Sequence, residues 1–267
     1  MMGIVALLTA ALLTAALLTA ASTVAPAAPR PAAPAASVRI AVLSTVAGGL
    51  APLSRNTTHN WVAQRRLVSD QARFESAEVW AYGDSITVGT AASLGNQVAP
   101  QLRTSLAVDA QNSIPTTPAT ERLLDRLQHT RNRPRVLVFA LGTNDAPVLY
   151  PSLAVPNSRP GEVWRDLAAV RRALGPRTAI IFVDVYLDRR HAPTDRVRAI
   201  EMANARLVNA QARRSRIPDA IVPWYAAVAR DERRYLTDGV HPTPAGVALR
   251  TALIRPVLRR QFASHPG

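Results

Sequence analysis

Residues 135–141 read Arg-Val-Leu-Val-Phe-Ala-Leu, and residues 179–185 read Ala-Ile-Ile-Phe-Val-Asp-Val. Both runs are almost continuously apolar. This pattern is typical of strands that are covered on both faces, because a strand with one solvated face alternates apolar and polar residues. The two runs therefore predict central strands of a buried, parallel β-sheet.

Strands and helices alternate along the chain on both sides of these runs. The predicted strands are Val79–Tyr82, Leu106–Asp109, Val136–Leu141, Ala179–Val185 and Ala220–Pro223. The predicted helices cover residues 90–104, 117–130, 161–174, 195–215 and 244–261. Such alternation indicates an α/β fold in which a mainly parallel five-stranded sheet lies between layers of helices.

The N-terminal third has a different composition. The first 29 residues carry no charged side chain, and residues 4–21 are almost entirely Ala, Leu and Thr, followed by an Ala/Pro-rich stretch. We interpret residues 1–28 as a signal peptide or, if retained, an N-terminal membrane anchor, which predicts a secreted or cell-envelope protein. Residues 29–78 form a linker and extension, in which Val38–Leu43 is a further strand or part of the leader and Asn60–Glu75 a helix outside the sheet.

The charge of the chain is strongly positive. The formal net charge is +14, every basic residue is arginine, and the chain has no cysteine, so disulfides cannot stabilise it. Arginine pairs are scattered without the interleaved aromatic residues of a single-strand nucleic-acid binder, and we expect no nucleic-acid partner. The arginines indicate a solvated surface or, alternatively, attraction to an anionic envelope polymer or lipid surface. We expect a monomer.

Three polar motifs lie at the ends of predicted elements. Gly83-Asp84-Ser85 follows the first strand, Gly142-Thr143-Asn144-Asp145 follows the third, and Asp238-Gly239-Val240-His241-Pro242 precedes the last helix. The carboxyl ends of parallel strands meet at one edge of the sheet, where ligands bind. We therefore expect the three motifs to converge, with Pro244 opening the last helix.

The residue types in these motifs suit acyl transfer. A serine hydroxyl becomes a good nucleophile only when an imidazole takes its proton, and a carboxylate must orient that imidazole. Ser85, His241 and Asp238 fit these roles, while the Ser85 N–H and the Asn144 amide can stabilise an oxyanion. Taken singly, each motif is equally typical of an ordinary turn, so the prediction depends on their combination.

In these motifs the chain resembles the SGNH hydrolases, also called the GDSL esterase/lipase superfamily. The resemblance covers residues 79–262 and implies a flavodoxin-like three-layer α/β/α sandwich, a serine acyl-enzyme mechanism, and neither metal nor cofactor. It implies Ser85, Asp238 and His241 as catalytic residues, with Gly83, Asp84, Gly142 and Asp145 in support. The family usually places an oxyanion-binding glycine after the second strand, where this chain has Ser113, or alternatively Asn112.

Three functional hypotheses follow, with an ester as the expected substrate and an envelope glycan or lipid as the expected carrier of the ester. The first is an exported serine esterase, the second an O-acyltransferase that passes the acyl group to a sugar or lipid hydroxyl, and the third a non-catalytic envelope-binding protein. The Pro147–Pro160 segment either overhangs the site or packs on the protein body. The other histidines, His59, His129, His191 and His265, are expected to be structural or solvent-exposed.

Overall fold

The computed structural model describes residues 65–148 and 159–265, which contain one six-stranded sheet. Its strands are β1 (Arg66–Val68), β2 (Val79–Gly83), β3 (Leu106–Gln111), β4 (Val136–Ala140), β5 (Ala179–Val183) and β6 (Ala220–Val222). Their order is β1-β3-β2-β4-β5-β6; β1 is antiparallel to β3 and the other neighbours are parallel. The five predicted strands are all present, and β1 is the strand that the prediction missed.

Helices cover both faces of this sheet. They are α1 (Gln71–Ser76), α2 (Ser85–Gln97), α3 (Ala99–Leu102), α4 (Thr116–His129), α5 (Glu162–Leu174), α6 (Asp195–Ser215), α7 (Trp224–Val228), α8 (Glu232–Tyr235) and α9 (Pro244–Ser264). Leu137 and Phe139 of β4 belong to the core beneath α4, α5 and α6, while Val136 and Val138 belong to the core beneath α2 and α9. The continuously apolar strands are thus buried on both faces, and the predicted three-layer α/β/α sandwich is confirmed.

The first long helix differs from its predicted bounds of 90–104. It begins earlier, at Ser85, because the Asp84 carboxylate accepts a hydrogen bond from the Ile86 N–H and caps the helix. It also ends earlier: α2 stops at Gln97 and α3 begins at Ala99 with Pro100 in its first turn. Proline has no backbone N–H, so it cannot continue the hydrogen bonding of α2.

The segment before β2 also differs from its prediction as one helix over Asn60–Glu75. Residues 66–68 form β1, and only residues 71–76 are helical. The remaining part of that prediction and the Val38–Leu43 prediction lie outside the described residues. None of the helices in residues 65–148 and 159–265 is both long and apolar enough to cross a bilayer.

A buried carboxylate attaches β1 to the sheet. Asp109 of β3 accepts hydrogen bonds from Arg66 Nε at 3.0 Å and Nη2 at 2.7 Å, and its side chain is 3% exposed. Arg126 of α4 approaches the same carboxylate at 3.4 Å and also donates to the Tyr82 hydroxyl. Asp109 therefore joins β1, β3 and α4, which explains how a strand of three residues stays in place.

We expect Asp109→Ala to lower the free energy of unfolding by about 3 kcal/mol, because Arg126 would lose the carboxylate facing it in a largely buried position. Arg66→Ala should cost only about 1 kcal/mol, since Arg66 is partly exposed and its loss leaves Asp109 paired with Arg126. Urea unfolding of both variants measures the two losses. Equal, small losses would contradict this role for Asp109.

Candidate active site

Ser85 occupies the first residue of α2, directly after β2. The turn is tight: a Cβ added to Gly83 would lie 1.9 Å from Thr87 Oγ1, so any side chain there would displace the first turn of the helix. Asp84, which is 1% exposed, closes the turn by capping α2. The predicted bracing role of Asp84 thus matches its hydrogen bonding, and Ser85 sits at the positive end of a helix dipole.

Ser85, His241 and Asp238 form one hydrogen-bonded chain. Ser85 Oγ lies 3.0 Å from His241 Nε2, and His241 Nδ1 lies 2.8 Å from Asp238 Oδ2. The other Asp238 oxygen accepts hydrogen bonds from the backbone N–H groups of Val240 and His241. Since a carboxylate is an acceptor, Nδ1 carries the proton and Nε2 is free to accept one from Ser85.

The surroundings of Asp238 keep it ionised. Partial burial alone would raise its pKa, but the hydrogen bonds from the His241 backbone and imidazole outweigh burial, and the pKa of Asp238 lies below its ordinary value. An ionised carboxylate beside Nδ1 stabilises the imidazolium that forms when His241 takes a proton.

The loop that carries His241 is held by backbone contacts. Gly239 has a φ of 85°, and a Cβ there would lie 1.7 Å from the Asp188 carbonyl oxygen. The Asp188 N–H donates to Gly239 O at 3.0 Å, and Thr237 N–H donates to His241 O at 2.9 Å. As predicted, Pro244 opens the last helix, with Thr243 as its N-cap. Gly239, to which the motif alone assigned no role, is needed for this close approach.

Ser113 and Asn144 lie with Ser85 and His241 around a cleft of about 280 Å³. The Asn144 side-chain amide donates to the Ile114 carbonyl at 3.0 Å, which ties it to the Ser113 loop. Ser113 has a φ of 59°, in the left-handed region that favours glycine. The Asn112 N–H instead donates to Arg65 O at 3.0 Å, so Ser113 is the better of the two predicted candidates for an oxyanion donor.

Asp145 supports the Asn144 loop from below. Its carboxylate accepts hydrogen bonds from the Thr116 N–H at 3.0 Å and the Thr116 hydroxyl at 2.6 Å, at the first residue of α4. Gly142, just before Asn144, has a φ of 115° and lets the chain turn after β4. Burial raises the pKa of Asp145 to about 7, against the lowering effect of the Thr116 bonds.

A buried arginine that sequence reasoning missed lies near Asp84. Arg250 of α9 is 3% exposed, and its guanidinium carbon is 5.3 Å from the centre of the Trp224 ring. Burial raises the pKa of Asp84, and the Arg250 charge opposes that rise. Burial likewise lowers the pKa of Arg250 to about 10, opposed by Asp84 and Asp184. In the sequence, Arg250 is one of many arginines, and nothing marks it as buried.

The loop after β5 completes the rim of the cleft. Leu187, Arg189 and His191 line it; His191 is exposed, as predicted, and also borders the cleft, which its sequence context did not indicate. Glu201 of α6, fully buried, pairs with Arg189 and accepts a hydrogen bond from the Val148 N–H at 3.1 Å, which fixes two rim loops together. His129 is exposed and His265 follows α9, whereas His59 is outside the described residues.

The Pro147–Pro160 segment is described only at its two ends. Pro147 lines the cleft, and the rest of the segment that would either overhang the site or pack on the protein body lies mostly outside the described residues. Within the described part of the chain, no group of three His, Asp or Glu side chains is placed to hold a metal ion.

An α/β/α sandwich with a serine, a histidine and an aspartate hydrogen-bonded at the carboxyl edge of its sheet has the fold and site of an SGNH hydrolase. The chain belongs to the GDSL-like lipase/acylhydrolase family, whose model matches residues 81–249. A comparison with curated protein sequences gave no match.

Solved structures share this fold at low sequence identity. The lipase/acylhydrolase from Enterococcus faecalis is 18% identical with a TM-score of 0.54, over 68% of this chain and 95% of that one. The C-terminal catalytic domain of peptidoglycan O-acetyltransferase A from Streptococcus pneumoniae is 20% identical with a TM-score of 0.52, over 72% of this chain and 97% of that one. A GDSL-like lipase from Bacteroides thetaiotaomicron is 18% identical with a TM-score of 0.51, over 68% and 87%.

The left-handed conformation of Ser113 leads to a first prediction for the site. Ser113→Gly keeps the backbone N–H and removes a conformational cost of about 1 kcal/mol, so stability should rise or hold and activity should be retained. Ser113→Val places a β-branched residue where φ is positive, which should shift the loop and reduce kcat by roughly 10²-fold. Ester hydrolysis and urea unfolding test both variants; equal activities would exclude Ser113 N–H as a donor.

The raised pKa of Asp145 leads to a second prediction. Folded protein binds this proton more tightly than unfolded protein does, so the free energy of unfolding should fall as pH rises from about 4 to about 7. Asp145→Asn should lack this contribution and show a flatter or rising profile over the same range. Urea unfolding at several pH values measures it, with the exposed Asp125→Asn as control. Parallel profiles for wild type and Asp145→Asn would contradict the prediction.

Proposed function

We propose that this protein is an exported serine esterase that cleaves carboxylic esters through an acyl-Ser85 intermediate. The observation that supports it best is the hydrogen-bonded chain from Ser85 through His241 to Asp238. The apolar N-terminal segment of the sequence is the reason for proposing export.

In the first half-reaction, Ser85 Oγ attacks the ester carbonyl carbon while His241 Nε2 takes its proton. Asp238 accepts a hydrogen bond from Nδ1 and stabilises the resulting imidazolium. The tetrahedral intermediate then collapses, the bond to the alcohol oxygen breaks, and His241 gives its proton to the leaving alcohol. Ser85 is left esterified.

Three donors are suited to the negative charge that develops on the carbonyl oxygen. They are the Ser85 N–H at the start of α2, the Ser113 N–H and the Asn144 side-chain amide, whose residues all border the cleft. The bond from the Asn144 amide to the Ile114 carbonyl fixes the orientation of that amide beside the cleft. Donors fixed in this way need no reorganisation during the reaction.

The cleft favours a short acyl group. Its volume of about 280 Å³ lies at the lower limit for small-molecule sites, and Pro147, Leu187 and Val240 form its apolar side. An acetyl or similar group would occupy part of it and leave room for part of the alcohol moiety, which would extend toward the rim at Arg189 and His191. We therefore propose acylated carbohydrates, in preference to long-chain lipids, as the substrate class.

A second candidate function differs only in the second half-reaction. Water attacks acyl-Ser85 in an esterase, whereas a sugar hydroxyl attacks it in an O-acyltransferase, and His241 serves as base in both. The fold likeness to the catalytic domain of a peptidoglycan O-acetyltransferase favours keeping this candidate. Hydrolysis remains our first choice because His241 and Asp238 are half-exposed and water reaches them.

Ser85→Ala should reduce hydrolysis of a short-chain nitrophenyl ester by more than about 10³-fold, because the nucleophile is lost. Ser264→Ala, which removes an exposed hydroxyl at the end of α9, should leave the rate unchanged. Wild type should also react stoichiometrically with a fluorophosphonate probe at Ser85, as mass spectrometry of the labelled peptide would show. Equal ester hydrolysis by wild type and Ser85→Ala would refute the proposal.

Product analysis separates the two candidate functions. With an acetyl ester donor and a chito-oligosaccharide acceptor, an esterase should release acetate at a rate independent of the acceptor. Transfer of the acetyl group to the acceptor in preference to water would instead assign the protein as an acyltransferase.

A further inference from the structure

Among the described residues, exposed arginines without a salt bridge are most numerous at one edge of the sheet. Except for Arg30, Arg39 and Arg55, all of the 32 basic residues lie within the described residues, as do all 18 acidic residues. Nine exposed arginines lie in the segments that precede β3, β4, β5 and β6 or at the end of α9. They are Arg103, Arg131, Arg133, Arg172, Arg177, Arg214, Arg216, Arg259 and Arg260.

Strand pairing places these segments together. Val79 at the start of β2 pairs with Leu106 and Val136, and Val136 pairs with Ala179, so parallel strands begin side by side at the amino edge. Four strand spacings separate β3 from β6, which makes the edge roughly 19 Å wide. The end of α9 is fixed there too, because Arg135 donates to the Phe262 and His265 carbonyl oxygens at 2.6 and 2.8 Å.

The acidic residues at this amino edge are already engaged. Glu78 pairs with Arg135, and Asp219 pairs with Arg171. Glu75 accepts hydrogen bonds from the backbone N–H groups of Arg131 and Asn132. Among the described residues, none of the nine exposed arginines forms a salt bridge with a carboxylate. Arg131 has the Glu75 carboxylate nearby, and its charge helps to lower the pKa of Glu75. The amino edge therefore presents a set of guanidinium groups, most of which lack a nearby carboxylate partner.

The carboxyl edge, where the cleft lies, is different. Four arginines there pair with carboxylates, namely Arg66 with Asp109, Arg189 with Glu201, Arg190 with Glu232 and Arg198 with Asp188. Outside the nine arginines of the amino edge, the described residues contain seven more exposed arginines that form no salt bridge, namely Arg65, Arg73, Arg196, Arg206, Arg230, Arg233 and Arg234. The amino edge thus holds the larger share, nine of sixteen, of the exposed arginines that form no salt bridge among the described residues.

We propose that the amino edge binds an acidic polysaccharide and holds the protein with its cleft facing away from the bound chain. Guanidinium groups bind carboxylates through two parallel hydrogen bonds, and several in a row suit a polymer with repeated carboxylates. The large exposed hydrophobic residues, Leu67, Val68, Ile200 and Leu207, lie in β1 and α6 and away from this edge, which disfavours insertion into a membrane. The choice of a polysaccharide rests on the proposed function.

Binding to polygalacturonate, a polymer of carboxylated sugars, tests the proposal. Wild type should bind it at low salt, with affinity falling steeply as salt rises, and should not bind its fully methyl-esterified counterpart. A triple variant with Arg131, Arg177 and Arg259 replaced by serine should bind at least about ten-fold more weakly at about 0.1 M salt. In a plot of the logarithm of the binding constant against the logarithm of the salt concentration, the slope for this variant should be shallower by roughly two to three units, because three ionic contacts are lost.

A matched triple variant shows whether the position of the arginines, or only the total charge of the protein, determines binding. Replacing Arg196, Arg230 and Arg233 by serine removes the same charge from exposed positions away from the amino edge and should change binding by less than about three-fold. Equal weakening by both triple variants would overturn the proposal. So would absent binding by wild type, or equally tight, edge-dependent binding to duplex DNA or to phosphatidylglycerol vesicles.

Ester hydrolysis is measured on the same variants, so that the esterase proposal and the polysaccharide-binding proposal can be refuted independently of each other. Both triple variants should hydrolyse the soluble nitrophenyl ester at the wild-type rate, because none of the replaced arginines borders the cleft. Ser85→Ala should bind polygalacturonate as wild type does. An inactive wild-type protein that still binds through the amino edge would refute the esterase proposal alone.

Discussion

The parallel pairing of β2 with β3 and β4 is the constraint on which the site depends. Gly83 pairs with Ala110 on one side and with Ala140 on the other. Ser85, Ser113 and Asn144 follow these three residues by two, three and four positions, and so they meet at one edge. A shift of one residue in either pairing would move alternate side chains to the opposite face and separate the three groups.

The site combines buried ionisable side chains beneath it with catalytic side chains that are partly exposed to solvent. Asp84, Asp145, Glu201 and Arg250 are almost completely buried, and they hold the turns and rim loops on which the reacting groups are mounted. His241 and Asp238 are half-exposed, so substrate and water reach them. Buried ionisable groups lower the stability of a protein unless they are well hydrogen-bonded or paired. In this protein such groups lie next to the cleft, as they commonly do at functional sites.

Much of this structure was predictable from sequence, and what was missed has physical reasons. Five strands were predicted from apolar runs. The Ser85 and Asn144 motifs were predicted from their positions after strands, and the His241 motif from its position before the last helix. β1 has only three residues, and it depends on Asp109, which is distant in sequence. Burial of Arg250 and Glu201 follows from helix packing, which residue type does not reveal. The positive φ of Ser113 could not be predicted from the sequence either, because serine rarely adopts a positive φ.

The first and last described residues, Arg65 and His265, lie at opposite edges of the sheet. Arg65 accepts a hydrogen bond from the Asn112 N–H beside the Ser113 loop, whereas α9 ends near the start of β4. A surface attached through the exposed side chain of Arg65 would therefore lie close to the Ser113 loop of the cleft. An attachment after α9 would instead leave the cleft open and cover the amino edge. Immobilising the protein by one end or the other would thus separate access to small esters from access to polymers.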